Sequence, residues 1–407
     1  MLDKIRISPP FHIGIIGGGQ LGKMMAVAAK QLGFYVTILD PVDDCPAAQV
    51  ADKQILADFN NHEAIRSLVE GSQVTTYEFE HIDSQVLIQL EAAGYHIYPE
   101  PRNLQIIQNK LHQKQALQQA GIPVAPFLPV AGREDLIQAA ENFGYPLLLK
   151  ACAGGYDGKG NFLIKNSSRL EEALTYFRAD GCSPDFGKAG LMGEAFISFE
   201  LEVSVMVARS VHGQVAVYPL SENEHEDNIL RRSLVPARVS REVANRAQEI
   251  ADKVINLFNG VGIFCIEMFV TPQGEILINE VAPRPHNSGH YTIEANITSQ
   301  FEQHIRAIAG LPLGDARLRE PAVMINLLGE PGQTGPAVLE GCSQALAIPG
   351  VHLHFYGKKE TVPKRKMGHI TVTAPTLEEA IAGSDEAARV LRVISSEGSE
   401  LNVQDYE

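Results

Sequence analysis

The sequence predicts an α/β protein of several domains: a parallel-sheet domain first, then a small α+β lid, then a β-rich α+β region. Three observations predict this class. The chain has 407 residues, which is long for a single hydrophobic core. Short apolar runs alternate with helical patterns between residues 12 and 99, as in βαβ units that build a parallel sheet. From residue 191 onward, alternating strand patterns dominate.

Composition excludes several classes of function. Lys and Arg total 34 against 49 acidic residues, a net charge of −15, which repels nucleic acids and anionic membranes. The five cysteines lack CxxC spacing, so the sequence indicates neither a disulfide framework nor a zinc site, and a reducing compartment fits best. No stretch resembles a membrane span or a signal peptide. We therefore expect a cytoplasmic protein with no nucleic-acid or membrane partner.

The first predicted domain, residues 1–108, contains a glycine-rich turn. Gly17–Gly22 follows a strand, opens a helix and has the pattern G-x-G-x-x-G, and Asp40 ends the next strand. One interpretation is a Rossmann-like dinucleotide site in an NAD-dependent dehydrogenase. The alternatives are a site for another small phosphate and a strand-to-helix turn without a ligand. The rest of the chain offers no hydride-transfer site, which disfavours the dehydrogenase.

The second predicted domain, residues 109–190, has the pattern of a small lid. Lys150 ends an apolar strand and is followed by a second glycine-rich segment, Gly155–Gly160. Glycines let backbone N–H groups approach phosphate oxygens, and a lysine adds a positive charge. The segment lacks Walker spacing and leads into a strand, so it is predicted to be a hairpin flap. A plain β-turn is the alternative.

The third predicted domain, residues 191–320, carries two carboxylates on an apolar hairpin. With a Pro-Gln turn between the strands, Glu267 should lie opposite Ile278, and Glu280 should be its diagonal neighbour on the same face. The same parity turns Asn279 away. Two acids this close favour a hard divalent cation bound together with nucleotide phosphates. Solvated acids at a sheet edge are the alternative.

Three further segments are weaker signals. The strand residues Glu194–Ile197 offer a backbone edge for adenine, and Glu202 an acceptor for ribose hydroxyls, although such positions are more often core. His225 lies in a predicted acidic loop. In the fourth unit, residues 321–407, Lys358 and the run Lys364–His369 concentrate positive charge and predict a specific anion site or, alternatively, an exposed basic turn.

Together these segments resemble the ATP-grasp enzymes, and among them the 5-(carboxyamino)imidazole ribonucleotide synthase family of purine biosynthesis. The segments that carry the resemblance are Gly17–Gly22, Lys150 with Gly155–Gly160, Glu267 with Asn279 and Glu280, Ala282–His290, and Arg365–His369. The resemblance covers nearly the whole chain, and the last two segments are the specific ones. It implies a three-domain ATP-grasp fold, a homodimer, ATP as co-substrate, and Mg²⁺ with Mn²⁺ as a substitute.

The resemblance also implies site residues, position by position. The metal ligands would be Glu267 and Glu280. The nucleotide contacts would be Lys110, Lys150, Gly155, Tyr156, Asp157, Gly158, Lys159, Gly160, Glu194, Ala195, Phe196, Ile197, Glu202, His225, Asn279 and Glu280. The ribonucleotide contacts would be Gln20, Leu21, Glu78, Glu80, Arg284, His286, Lys358, Arg365 and Lys366, and the catalytic residues would be Tyr156, Arg284, His286 and Lys358. Lys110 departs from the family pattern, because it stands where an arginine is common and so loses bidentate geometry.

The activity implied by the resemblance is ATP-dependent carboxylation of 5-aminoimidazole ribonucleotide with bicarbonate. Carboxyphosphate would form first and release CO₂, and the products would be 5-(carboxyamino)imidazole ribonucleotide, ADP and phosphate. Within the same class, a formate-dependent glycinamide ribonucleotide formyl-transferring enzyme is the alternative. Outside it, the alternatives are an NAD-dependent dehydrogenase and a nucleotide-binding regulator without catalysis.

Overall fold

The computed structural model describes residues 8–154, 160–178 and 190–396. In these residues, no helix combines the length and apolarity that crossing a membrane requires. The fold consists of an N-terminal unit, a lid and a large sheet.

The N-terminal unit is built on a parallel sheet. The elements are β1 (His12–Ile16), α1 (Gln20–Gln31), β2 (Tyr35–Asp40), β3 (Lys53–Leu56), α2 (His62–Glu70), β4 (Val74–Tyr77), α3 (Ser84–Ala92) and α4 (Pro101–Ile107). In the described residues the strand order is β3-β2-β1-β4, with every pairing parallel. Ile13, Ile15 and Ile16 of β1 are fully buried, as expected for a central strand of a parallel sheet that is covered on both faces.

The lid is an antiparallel sheet covered by helices. Its elements are α5 (Lys110–Gln119), β5 (Phe127–Val130), α6 (Arg133–Phe143), β6 (Leu147–Ala151), β7 (Asn161–Ile164), α7 (Leu170–Arg178) and β8 (Leu191–Ala195). The strand order in this part of the described chain is β5-β8-β6-β7. Because β8 pairs with β5 and β6, the lid continues past the domain boundary that the sequence predicts at residue 190.

The large sheet begins with an antiparallel group of strands. The helix Arg241–Phe258 in this group buries Ile250, Val254 and Phe258 on one face and is capped by Asn259, which has a left-handed backbone (φ 48°). The elements are β9 (Leu201–Arg209), β10 (Val215–Val217), β11 (Ser221–Glu226), β12 (Ile229–Val235), α8 (Arg241–Phe258), β13 (Gly262–Val270), β14 (Ile276–Ala282), α9 (Thr292–Ala295) and α10 (Gln300–Ile308).

The C-terminal part of the chain continues the same sheet. The elements are β15 (Ala322–Leu328), β16 (Gly335–Glu340), α11 (Cys342–Leu346), β17 (Val351–Phe355), β18 (Glu360–Thr361), β19 (Lys366–Thr373), α12 (Leu377–Val390) and β20 (Arg392–Ser395). In the described residues the order of the large sheet is β14-β13-β9-β11-β12-β15-β19-β17, with β10 paired to β9, so the predicted fourth unit adds three strands to the third. A small sheet, β18-β16-β20, is formed by the same part of the described chain.

The segment around His225 was predicted to be an acidic loop, and that prediction is wrong. Residues 221–226 form β11, which pairs with β9 and β12. Its polar side chains have partners inside the protein: Asn223 bonds to Ser204 and Ser233, and Glu222 binds Arg238. The polar composition of the segment suggested a loop. It forms a strand because its buried charges and amides have hydrogen-bond or ion-pair partners on other parts of the protein.

Candidate active site

One cavity of about 1070 Å³ lies where the N-terminal unit, the lid and the large sheet meet. The predicted site residues that line it are Gln20, Leu21, Glu78, Glu80, Lys110, Lys150, Phe196, Glu202, His225, Glu267, Asn279, Glu280, Arg284, His286, Lys358 and Lys366. The predicted residues Gly155, Tyr156, Asp157, Gly158 and Lys159 fall outside the described residues. Most of the predicted site is therefore gathered around one space.

Five predicted residues that the structure describes do not line the cavity: Glu194, which is buried between two lysines, and the four that follow. Gly160 forms a turn, with its carbonyl accepting from Ala151 N–H at 2.8 Å. Ala195 and Ile197 flank Phe196 but do not line the cavity themselves. Arg365 is exposed and donates to the carbonyl of Glu360 at 2.8 Å.

The two hairpin carboxylates are closer than the sequence predicts. Glu267 and Glu280 are direct cross-strand partners, and the register shifts between Glu267 and Met268, which pairs with Ile278. Asn279 is the extra residue of a β-bulge, so the predicted pairing of Glu267 with Ile278 is wrong, and Asn279 lines the cavity instead of turning away. A bulge adds one residue to one of the two paired strands, and the alternation of apolar and polar residues does not reveal where this happens.

The acid pair has unequal charge states. Lys110 Nζ lies 2.5 Å from Glu280 Oε2 and, against the effect of burial, lowers the pKa of that carboxyl. Burial and then the charge of Glu280 raise the pKa of Glu267 to about 7. Two oxygen donors that repel each other across one strand pair suit a hard divalent cation such as Mg²⁺.

Helix α5 is fixed to the hairpin by a residue that the sequence analysis missed. The Gln113 side chain accepts from Val281 N–H and donates to the Val281 carbonyl, both at 2.9 Å. This two-point contact holds Lys110, at the start of the helix, against Glu280. No local pattern indicates it, because the partners are 168 positions apart.

Glu194 was predicted to contact the nucleotide, but its side chain does not line the cavity. Its carboxylate is 1% exposed and lies between Lys150 Nζ at 2.5 Å and Lys114 Nζ at 2.7 Å. Burial alone would raise the pKa of Glu194, but the two lysines outweigh it and hold the pKa at about 2. Lys114 was missed, although it lies four residues after Lys110 and hence on the same helix face.

The far end of the cavity is apolar. Phe199 and Phe269 stack with ring centroids 4.6 Å apart and planes 11° apart, and both line the cavity with Phe196. Glu202 lies 3.0 Å from His225 Nδ1 beside them. Phe199 and Phe269 were missed, although Phe269 follows Glu267 by two residues and therefore shares its strand face.

The opposite end is polar and basic. The Arg284 guanidinium binds Glu80 through two contacts, Nε to Oε1 at 2.9 Å and Nη2 to Oε2 at 3.1 Å. His286 Nδ1 lies 2.9 Å from Ser288 Oγ. Burial and then the charge of Arg284 keep the pKa of His286 well below its usual value, so the imidazole is neutral.

Lys358 reaches this end from the C-terminal part of the chain. Its Nζ donates to Gln20 Oε1 at 3.2 Å and to the Lys366 carbonyl at 2.6 Å. Burial, followed by the charge of Arg365, lowers its pKa to about 8.

The N-terminal unit holds the backbone just before Lys358, through a pair of contacts we call the clasp. Lys23 Nζ donates to the Tyr356 carbonyl and Gln49 Nε2 donates to the Gly357 carbonyl, both at 2.9 Å. Gly357 has φ 82°, and a Cβ there would lie 2.4 Å from Gln49 Oε1, so the close approach requires glycine. The sequence analysis missed Lys23 and Gln49, because their partners lie more than 300 positions away.

The first glycine-rich turn is filled by side chains of the protein. Gly18 N–H donates to Asp40 Oδ2 at 2.8 Å, and Glu78 accepts from Gly19 and Gly22 N–H at 2.5 and 2.6 Å. These are the backbone donors that a dinucleotide pyrophosphate would use. The turn is therefore a closed strand-to-helix connection stabilised by two carboxylates, which disfavours the dehydrogenase.

Comparison with known families agrees with this architecture. Three family models match in succession: Ribonucleotide synthetase preATP-grasp domain over residues 11–108, ATP-grasp domain over 115–301, and Phosphoribosylaminoimidazole carboxylase C-terminal domain over 322–383. The N5-carboxyaminoimidazole ribonucleotide synthase of Bacillus subtilis is 46% identical over 371 residues, covering 91% of this chain and 93% of that protein.

Solved structures give the same result. The N5-carboxyaminoimidazole ribonucleotide synthetase of Thermotoga maritima matches with a TM-score of 0.85 and 50% identity, covering 95% of this chain and 100% of that one. The Aspergillus clavatus N5-carboxyaminoimidazole synthase, solved in complex with ADP and 5-aminoimidazole ribonucleotide, matches with a TM-score of 0.83 and 35% identity, covering 93% and 99%. Fold, site and relatives agree: this chain belongs to the N5-carboxyaminoimidazole ribonucleotide synthase family of ATP-grasp ligases.

Proposed function

We propose that the chain carboxylates 5-aminoimidazole ribonucleotide, using ATP and bicarbonate, to form 5-(carboxyamino)imidazole ribonucleotide, ADP and phosphate in purine biosynthesis. The observation that carries the proposal is the lining of this cavity. It joins an aromatic part and an acid pair with lysines, suited to a nucleotide, to a basic part suited to a second phosphorylated substrate. The two substrates would therefore meet in one shared space.

The nucleotide end would bind ATP through charge and stacking. Lys110 and Lys150, with the glycine-rich segment of residues 155–160, would bind phosphate oxygens. Phe196, Phe199 and Phe269, which line the cavity, would contact the base. Glu267 and Glu280 would hold Mg²⁺ or Mn²⁺, and the bound ion would supply positive charge to the nucleotide phosphates. The donor set fits, because both ligands are carboxylates that face each other across one strand pair.

The reaction would proceed in three steps. A bicarbonate oxygen attacks the γ-phosphorus, the bond to the β-phosphate oxygen breaks, and ADP leaves carboxyphosphate behind. Carboxyphosphate then separates into CO₂ and inorganic phosphate. The exocyclic amine attacks CO₂, forms the C–N bond and loses a proton. Because carboxyphosphate hydrolyses in water, the enclosing walls of the cavity would protect it.

The basic end would orient the ribonucleotide. Lys358, Lys366 and Arg365 would attract its phosphate, and Gln20, Leu21, Glu78 and Glu80 would lie around its sugar. Arg284, fixed by Glu80, and neutral His286 would face the amine, and the imidazole is suited to accept the proton that the amine loses. Tyr156, which lies outside the described residues, is proposed as a further catalytic residue on the family resemblance. A homodimer in the cytoplasm is part of the proposal and rests on the family resemblance alone.

The other functions fit less well. The glycine-rich turn that suggested a dehydrogenase has its N–H donors occupied by Asp40 and Glu78. A regulator without catalysis has no need of an acid pair and lysines around one cavity. The formate-dependent enzyme shares the fold class, but the relatives reported above are N5-carboxyaminoimidazole ribonucleotide synthases.

An acceptor panel tests the proposal. Phosphate release from Mg-ATP is measured with bicarbonate plus 5-aminoimidazole ribonucleotide, and with formate plus glycinamide ribonucleotide. We expect release to depend on the first pair. Release that depends on the second pair and not on the first would overturn the proposal in favour of formyl transfer.

A further inference from the structure

Three possible metal-ligand atoms, a sulfur, an oxygen and a nitrogen, lie close together at Glu267, one member of the acid pair. The Cys265 sulfur, a carboxylate oxygen of Glu267 and a ring nitrogen of His286 lie within 4.8 Å of one another. Cys265 and Glu267 are two residues apart on β13 and so point to the same face, and His286 follows β14, the neighbouring strand. Among the described residues this is the one group of three such donors.

The spacing resembles that of a tetrahedral metal site. Glu267 Oε1 and His286 Nε2 are 3.4 Å apart, which is longer than an ordinary hydrogen bond. Tetrahedral Zn²⁺ with bonds near 2.0 Å to nitrogen and oxygen, and 2.3 Å to sulfur, separates its ligand atoms by about 3.3–3.5 Å. The carboxylate and imidazole already have this spacing, and the sulfur would need to approach by no more than about 1.3 Å.

The donor set selects a metal other than magnesium. Magnesium prefers oxygen ligands in octahedral geometry and does not recruit a thiol. A thiolate with an imidazole and a carboxylate is a set that Zn²⁺ binds, and three protein ligands leave the fourth position open. The thiol would release its proton to solvent when the metal binds. Cys265 is fully buried, with its polar contact to Ser288 Oγ at a distance of 3.8 Å, so the sulfur lacks a strong partner that would compete with a metal.

We propose that Cys265, Glu267 and His286 form an inhibitory binding site for Zn²⁺ and similar thiophilic divalent cations. Zn²⁺ on one oxygen of Glu267 withdraws negative charge that Mg²⁺ needs there, and two divalent cations on one carboxylate repel each other. The ion would also occupy His286 Nε2, the ring nitrogen that faces Glu267, so the imidazole is no longer available to accept a proton there. Zinc at this site therefore opposes both halves of the proposed reaction, and the two metals weaken each other's binding through one shared carboxylate.

Metal binding is tested without any catalysis. Co²⁺, which takes the ligands of Zn²⁺ and is coloured, is titrated into the full chain without nucleotide, and the near-ultraviolet thiolate-to-cobalt charge-transfer band is recorded. We expect a band that Zn²⁺ removes, that is lost in Cys265→Ser and Cys265→Ala, and that persists in the control Cys342→Ala, which removes the half-buried thiol of α11. A missing band in the wild-type protein, or a band that persists in both Cys265 variants, would overturn the proposal.

Inhibition forms the second test, and only this arm rests on the proposed function. ATP turnover with the ribonucleotide is measured at fixed Mg-ATP in zinc buffers. We expect Cys265→Ala, or Cys265→Ser if the alanine variant folds poorly, to keep the basal rate and to need at least tenfold more free Zn²⁺ for half inhibition. Equal inhibition of wild type and variant would mean that zinc merely replaces magnesium at the acid pair, which contradicts the thiol site.

Discussion

At the residue scale, the nucleotide end of the cavity is organised by neutralising charge. Glu194 balances Lys114 and Lys150 below the surface, and Lys110 balances Glu280 at the cavity. Among the described residues, no lysine or arginine lies at such close range to Glu267, and burial with the nearby Glu280 raises the pKa of Glu267 to about 7. The surplus negative charge therefore falls on the pair that is proposed to bind the metal.

Replacing either proposed metal ligand should abolish most turnover. We expect Glu267→Gln and Glu280→Gln to lower kcat by several decades, about 4 kcal/mol or more of transition-state stabilisation, because the amide keeps the shape but not the charge. Steady-state kinetics at saturating Mg-ATP measure the effect, with Glu249→Gln on the exposed face of α8 as control. Undiminished turnover in Glu267→Gln would contradict the metal role.

Replacing Glu194 should lower the free energy of unfolding. Glu194→Gln leaves two buried ammonium groups without their counter-ion, and we expect a loss of about 3–5 kcal/mol in the free energy of unfolding. Urea unfolding measures it, and Glu172→Gln, in the exposed pair with Arg169, should change little.

The same carboxylate has a predictable pH dependence. Its folded pKa of about 2 lies below the usual 4.5, so its contribution is present above pH 4.5 and disappears as the pH falls towards 2. The stability difference between wild type and Glu194→Gln should therefore narrow over that interval. A difference that stays constant between pH 5 and pH 3 would mean that the ion pairs contribute nothing.

Lys358 should limit ribonucleotide binding at alkaline pH. Its pKa of about 8 means that the free enzyme loses this positive charge as the pH rises through 8, and the ribonucleotide phosphate then loses a partner. We expect kcat/KM for the ribonucleotide to fall above pH 8. In Lys358→Arg, which stays charged, the fall should move to higher pH. An unchanged alkaline limb in the arginine variant would assign it to another group.

At the scale of elements, two strand pairings and the clasp determine where the side chains of the site lie. The bulge at Asn279 brings Glu280 directly opposite Glu267, and β8 carries Glu194 into the lid. The clasp holds the turn before Lys358 against the N-terminal unit. None of these features follows from local patterns, because each depends on which distant segment lies alongside.

Breaking the clasp should weaken ribonucleotide binding selectively. In Gln49→Ala the Gly357 carbonyl loses its donor, and a hydrogen bond of about 1 kcal/mol predicts roughly a fivefold rise in the KM for the ribonucleotide. The KM for ATP should not change. Gln54→Ala is the matched control, since Gln54 bonds within the N-terminal unit to the Val42 carbonyl. Equal rises in both Michaelis constants would indicate general loosening of the structure.

At the scale of the whole molecule, the sequence predicts the order of units and places most of the predicted site residues that are described around one cavity. Hydrophobic periodicity predicts the βαβ unit and α8. The family resemblance predicts that Arg284, His286 and Lys358 belong to the site, and all three line the cavity. Three long-range features are not predictable from local patterns. The strands β15, β19 and β17 join the large sheet, Glu194 binds two lysines, and Glu78 accepts hydrogen bonds from the glycine-rich turn. Function depends on these contacts because the cavity exists only where the units meet.

The most direct test of the account follows carbon and phosphate together. ADP release from Mg-ATP is measured with ¹³C-bicarbonate, with and without 5-aminoimidazole ribonucleotide, while NMR follows the label. The account predicts that the ribonucleotide stimulates ADP release and that the label appears as a carbamate on its amine. ATP turnover with no label on the ribonucleotide would contradict it.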